Sequence, residues 1–184
     1  MVRNDDKSLI EELTSMLVGP FPGITVDAGI SERWNRPSVT FIWEGFRSLL
    51  PEERFQRLTR AIPESYRTEN MQGRIWLELA PDESIEDFLA FPRSEDVEPR
   101  EGEIFRTLNR GGFFDLLAKA MGGNPERTCA SDFAFALASI ERSKGIGVSS
   151  DDVKLIFIRQ GVYCDCQVLE SARPALAEMY AGAA

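Results

Sequence analysis

Val39-Thr40-Phe41-Ile42-Trp43-Glu44-Gly45-Phe46-Arg47-Ser48-Leu49-Leu50-Pro51-Glu52-Glu53 changes its period partway along, and that change decides the fold class. Val39, Phe41 and Trp43 alternate as the buried side of a half-covered strand. Pro51 then opens a helix, because its fixed φ suits the first helical position. Glu52 and Glu53 follow in the first turn, where acids meet the positive end of the helix dipole. Phe55, Leu58 and Ile62 read as the buried stripe of that helix, and Pro63 stops it.

Upstream, Ser8-Leu9-Ile10-Glu11 has capping-box spacing and opens a helix with Ile10, Leu13 and Leu17 on one face. Gly19-Pro20-Phe21-Pro22-Gly23 ends it. Ile24-Thr25-Val26 is a short strand, and Trp34 to Pro37 a turn. Downstream, Ile75, Leu77 and Leu79 alternate in a third strand, and Asp82 caps a last short helix with Ile85, Phe88 and Leu89 turned inward. The order is α-β-β-α-β-α. Trp34 and Trp76 are candidates for the exposed side of the sheet, with a helix of the second domain expected over Trp76.

From Pro92 to Glu101 the chain carries two prolines, four acids and Val97 as its one apolar residue. Such a segment has little to bury and reads as a linker. The expected organisation is therefore a 1–91 α+β domain, a 92–101 linker and a 102–184 mainly helical domain. In the last, helices are expected over Glu103 to Leu108, Phe113 to Met121, Cys129 to Ser143 and Asp151 to Gln160. Val153 to Ile158 is nearly continuous in apolar and β-rich residues. Ser150-Asp151-Asp152 before it and Gly161 after it are helix-end signals, which favour helix.

The composition excludes whole classes of chemistry. Among 184 residues there is no histidine. Ser-His-Asp and Cys-His nucleophilic catalysis, His-ligated zinc and imidazole general-base chemistry are therefore ruled out. The net charge of −9 is shared by both halves and opposes non-specific attraction to nucleic acid or anionic membranes. The first residues lack the apolar core of a signal peptide, and no apolar run reaches membrane-spanning length. Three cysteines, an odd number, do not make a secreted disulfide framework, so the expected compartment is the cytoplasm.

The α-β-β-α-β-α order, with Phe41-Ile42-Trp43-Glu44-Gly45 leading through Ser48-Leu49-Leu50 into an arginine-rich helix, resembles the BolA family and its class II KH-like fold. Glu44-Gly45 matches that family's turn and Ser48-Leu49-Leu50 its leucine-rich helix entry. Arg54 and Arg57 occupy the helix, and Gly73 to Leu79 with Asp82 is similar to the last strand and the turn after it. The resemblance covers roughly half the chain. BolA proteins carry in that helix a histidine that helps hold an iron–sulfur cluster shared with a glutaredoxin. Here Phe55 and Gln56 stand between the arginines, and Phe46 and Arg47 lengthen the turn, so cluster binding is not carried over. What the resemblance implies instead is a partner-facing helix, with Arg47, Arg54, Arg57 and Arg60 as candidate docking residues for an acidic patch on another protein. Against this stand the plainer reading of a solvated arginine face and, third, an anion or nucleotide-phosphate site. No Gly-x-x-Gly loop lies between helices, so KH-type nucleic-acid binding is not expected.

Gly161-Val162-Tyr163-Cys164-Asp165-Cys166-Gln167-Val168-Leu169 resembles the end of a small bacterial family of uncharacterised proteins. Their short helical domain starts with a cysteine near a histidine and finishes in Gly-Gly-Tyr-Cys-Asp-Cys-Glu-Val-Leu. The first cysteine would be Cys129 here, without the histidine. Cys129, Cys164 and Cys166 are thus candidate thiolate ligands, with zinc as the candidate metal and Asp132 or Asp165 as a fourth donor. Simple packing thiols and a labile redox pair are the other readings. Asp165 between the sulfurs opposes a low thiolate pKa, which weakens a nucleophile.

Gly111-Gly112 and Gly122-Gly123 are helix breaks, and the paired acids fit first-turn helix charges better than acid–base dyads. The function expected from the residues is a non-enzymatic cytoplasmic binding or adaptor protein, with no resident cofactor and neither a nucleic-acid nor a membrane partner. The alternative is a thiolate metal-binding or redox module on Cys129, Cys164 and Cys166.

Overall fold

The structure is a computed structural model that describes residues 4–122, 130, 132–143 and 147–180. It is mixed α+β. The chain divides into two compact units, Met1–Phe91 and Pro92–Ala184.

The first unit runs α1 (Asn4–Leu17), β1 (Thr25–Ser31), β2 (Arg36–Ile42), α2 (Pro51–Ala61), α3 (Glu64–Tyr66), β3 (Ile75–Leu79) and α4 (Ile85–Ala90). Helix α1 is already formed at Asn4, so Ser8 lies inside it rather than at its cap, and its hydroxyl donates to Glu12 at 2.8 Å. The stripe that faces inward is Leu9, Leu13 and Leu17, with Ile10 half-buried beside it.

The sheet has the order β1-β2-β3. β1 pairs antiparallel with β2, and β2 parallel with β3. A parallel pair needs a crossover, and α2, α3 and a π-helical turn over Arg67–Met71 supply it. Val26, Ala28, Val39 and Phe41 share the sheet face that packs with Leu13 and Leu17 of α1, Leu58 of α2 and Ile62 just after it. Leu77 and Leu79 lie on the opposite face, under Phe88 of α4.

Several expectations are corrected here. Phe55 is 47 % exposed, because the inward stripe of α2 runs through Pro51, Arg54 and Leu58. Trp76 is on the helix-covered face, half-buried between Phe41 and Phe55 at ring distances of 5.5 and 5.3 Å, so its own unit covers it. The cap of α4 is Ser84, whose Oγ accepts from Asp87 N–H at 3.1 Å while Asp87 accepts from Ser84 N–H, and Leu89 is exposed. After β2 a 3₁₀ turn, Glu44–Phe46, passes under the Trp43 ring, where a Cβ on Gly45 would lie 2.1 Å from ring carbon.

The second unit begins with a 3₁₀ helix at Ser94–Arg100 in which Val97 is fully buried. The expected linker is therefore folded. Val97, Arg93 N–H donating to Asp96 at 2.7 Å, and ion pairs of Arg100 with Asp152 at 3.0 Å and of Glu98 with Arg159 at 3.3 Å order it. There follow α5 (Glu101–Arg110), α6 (Phe113–Ala120), α7 (Ala134–Arg142), α8 (Ser150–Arg159), α9 (Asp165–Gln167), a π-helical turn over Val168–Ala172 and α10 (Arg173–Tyr180). Phe113, Phe114, Phe133 and Phe157 form the aromatic centre, and Val153 to Ile158 are all buried. The apolar run of α8 is thus a helix enclosed on most sides. Cys129, expected to start a helix that runs to Ser143, lies outside the described residues. The helix described there begins at Ala134.

Candidate functional site

The arginine helix is the first candidate site. Leu50 precedes it in extended backbone, and the Glu53 carboxylate accepts from Leu50 N–H at 2.9 Å, which fixes the entry angle. From that start, the 3.6-residue period turns Arg54 inward with Leu58 and leaves Arg57 and Arg60 on the outer side.

Arg54 is 0 % exposed, so the expectation that it sits at the surface is wrong. Its Nε donates to the Leu49 carbonyl at 2.9 Å and its Nη1 to the Glu78 carbonyl at 2.6 Å. The two Nη groups also hold Glu83 in a bidentate pair, and Glu83 accepts from Ala80 N–H at 2.9 Å. The guanidinium lies 4.9 Å from the Phe91 ring centroid and 5.9 Å from those of Phe46 and Phe88. A planar fork with five donors can tie the end of β3, the entry to α2 and the start of α4 together in this way, where a lysine could not. Arg54 is structural.

The remaining arginines separate. Arg47 is exposed and bound to Glu44 at 2.7 Å and Asp82 at 2.7 Å. Its hydrogen bonds hold both carboxyls below their ordinary range. Arg57 is half-buried and Arg60 exposed, and among the described residues no acid pairs with either. The structure therefore keeps two of the four expected docking residues available on one side of α2. Arg47 is committed to local acids, and Arg54 to the core.

The Cys-Asp-Cys segment is the second candidate. Cys164 is buried, Cys166 half-buried, and their Sγ atoms are 3.2 Å apart, well beyond a covalent S–S bond. Asp165 between them is 0 % exposed. Its carboxylate accepts from Phe135 N–H at 2.9 Å and Ala136 N–H at 2.8 Å, and its own N–H donates to the Asp132 carbonyl at 2.9 Å. Asp165 thus caps α7 from 30 residues away, satisfying two donors that a helix start leaves open. Burial pushes its carboxyl up to about 6, against the two backbone N–H groups that hold it down, and the nearby Asp132 adds to the rise.

This cap was not legible in the sequence. The only signal was an acid between two cysteines, which local reading assigns to a metal site. Among the described residues no group of three or more Cys, Asp and Glu side chains gathers as a metal site. The three-cysteine site cannot be drawn, because Cys129 is outside the described residues. Among the described residues no helix is long and apolar enough to cross a membrane. Comparison with protein-family models, characterised proteins and solved structures finds no match to the chain.

Proposed function

We propose that the protein is a non-enzymatic binding protein, an adaptor of the cytoplasm, whose N-terminal unit presents the outer side of α2 to an acidic patch on a partner. The observation that carries this reading is the pair Arg57 and Arg60, one turn apart on α2 with no acid among the described residues to neutralise them. Guanidinium groups left open in a chain of net charge −9 are available for a carboxylate-bearing partner. The α-β-β-α-α-β order with a parallel β2–β3 pair supports the KH-like, BolA-like reading of the unit, in which this helix faces the partner. Neither a nucleic acid nor a cluster cofactor belongs to this reading.

The test is binding of a fluorescent poly-glutamate peptide to the wild-type protein and to Arg57→Glu/Arg60→Glu, at rising salt. Binding that weakens with salt and disappears in the double variant supports docking on α2, since exposed charge pairs are screened. Equal binding by both proteins removes α2 as the docking face.

The 3.2 Å approach of the Cys164 and Cys166 sulfurs favours a second reading, a thiolate metal or redox module. Elemental analysis of protein purified without chelator, with a thiol count, decides it. Stoichiometric zinc lost in Cys164→Ser/Cys166→Ser supports the module. Metal-free protein with three titratable thiols leaves packing.

A further inference from the structure

The two faces of the N-terminal sheet are covered unequally. α1 and α2 enclose one face, while on the other α4 covers only the β3 side. β1 is an edge strand, and beside it the uncovered part of that second face forms a groove of about 430 Å³. Asp27 and Gly29 of β1 and Ser38 and Thr40 of β2 line it, with Ile85 of α4 as one wall.

Three features of this groove lack an explanation within the chain. Gly29 is the first. The β1–β2 register runs unbroken from Thr25–Ile42 to Ser31–Arg36, so no bulge needs a glycine there. Its φ lies outside the left-handed region, and a Cβ built on it would meet nothing within 4 Å. Glycine weakens a strand interior, and one that no turn, bulge or neighbour requires marks a place where another backbone or a ligand comes close. Ser38, the register partner of Gly29, is the second. The residue is 7 % exposed, it lines the groove, and its hydroxyl makes no hydrogen bond among the described residues, which leaves it open to a group entering there. Charge is the third. Asp27 accepts only from the adjacent Ala28 N–H at 2.9 Å, and Glu32 has no basic partner among the described residues. Arg33, the one cation lining the groove, is held by Glu86 at 2.7 Å.

We propose that this groove takes an extended, lysine- or arginine-bearing segment of a partner protein. The segment adds as a strand to the free edge of β1 in the plane of the sheet, and its groove-side side chains cross the bare Gly29 toward Ser38 and bring cations to Asp27 and Glu32. An edge strand offers a row of backbone donors and acceptors for such pairing. The lining is mixed: Gly29 leaves room at its centre, and the apolar Leu77 and Ile85 stand beside the polar Asp27, Ser38 and Thr40, which suits a strand that alternates cationic and apolar side chains. The site lies on the sheet face opposite α2 and stands independently of the reading of that helix.

The experiment uses three fluorescent nonapeptides: one alternating Lys with Thr and Val, its counterpart with Glu for Lys, and the Lys peptide N-methylated at alternate amides. The wild-type protein should bind the Lys peptide about tenfold or more tightly than either of the others, because one lacks the charge and the other the strand pairing. Gly29→Val should keep or raise the melting temperature, as a β-branched side chain placed in open space suits a strand. It should also weaken binding of the Lys peptide by about tenfold or more. Asp27→Lys/Glu32→Lys should weaken it similarly, and Arg57→Glu/Arg60→Glu should leave it unchanged.

Equal binding by Gly29→Val and wild type overturns the proposal, as does equal binding of the N-methylated peptide. Absence of binding at about 1 mM overturns it too. Concentration-dependent dimerisation that Gly29→Val abolishes would also overturn it, by making a second copy of the chain the occupant.

Discussion

Arg54 in the N-terminal unit and Asp165 in the C-terminal unit are both fully buried charges, and the chain accommodates them in different ways. Arg54 is met by the opposite charge of Glu83, by two carbonyls and by three aromatic rings. Asp165 is met by no cation among the groups that shift it. Two backbone N–H groups at the start of α7 receive it instead. An ion pair keeps both members charged but leaves a severe orphan if one is removed. A helix N-terminus offers partial charge only, so the buried carboxyl is drawn toward its neutral form. The first arrangement fixes a fold, and the second also makes it sensitive to pH.

Arg54→Met gives the sharpest test of this contrast. It strands the Glu83 carboxylate and two carbonyls, and denaturant unfolding should show a loss of about 3–5 kcal/mol. Adding Glu83→Leu should return part of that loss, because the orphaned charge is then gone. If Arg54→Met costs less than about 1 kcal/mol, the hub is not what ties β3 to α2.

Asp165→Ala leaves two backbone donors of α7 open and should cost about 1–2 kcal/mol, the usual magnitude for a lost helix cap. Far-UV circular dichroism should place part of the effect in helix content. A stability equal to wild type would mean that water or another group caps α7 equally well.

The pH profile separates the two kinds of burial. Asp165 has a folded-state pKa of about 6, above the unfolded value of 3.8. The stability it contributes is complete below 3.8 and is lost as pH rises through about 6. Asp165→Asn should therefore flatten the decline of stability across this interval in urea unfolding measured at successive pH values. An unchanged slope would break the assignment.

The smallest effect is expected on the outer side of the same helix that carries Arg54. Arg57→Glu/Arg60→Glu should shift unfolding by no more than about 0.5 kcal/mol per site, since neither side chain has a charged partner among the described residues. A larger loss would make these arginines structural like Arg54 and remove the proposed docking face.

Both the legibility of the sequence and its limit show on α2. Proline at the first position and acids in the first turn placed its start at Pro51. Its phase was misread by about one residue, because apolarity alone selected Phe55 as inward and sent Arg54 out. The misreading propagated to the site, putting a buried hub among the candidate docking residues. Gly29 and Ser38 drew no attention in the sequence, because small residues in a strand carry no chemical signal until the bare face around them is seen.

The sequence by itself determined the α+β class, the helical state of Val153 to Ile158 and the exclusion of imidazole chemistry. Each of these rests on local period, end signals or composition, which act over a few residues. The tertiary structure alone decided that Arg54 points inward, that Val97 orders its segment, that Asp165 caps a helix and that Gly29 faces an open groove. The physical reason is distance along the chain. Glu83 is 29 residues from Arg54, and the α7 donors are 29 and 30 from Asp165. Whether a polar group goes inside depends on partners that only folding brings within reach.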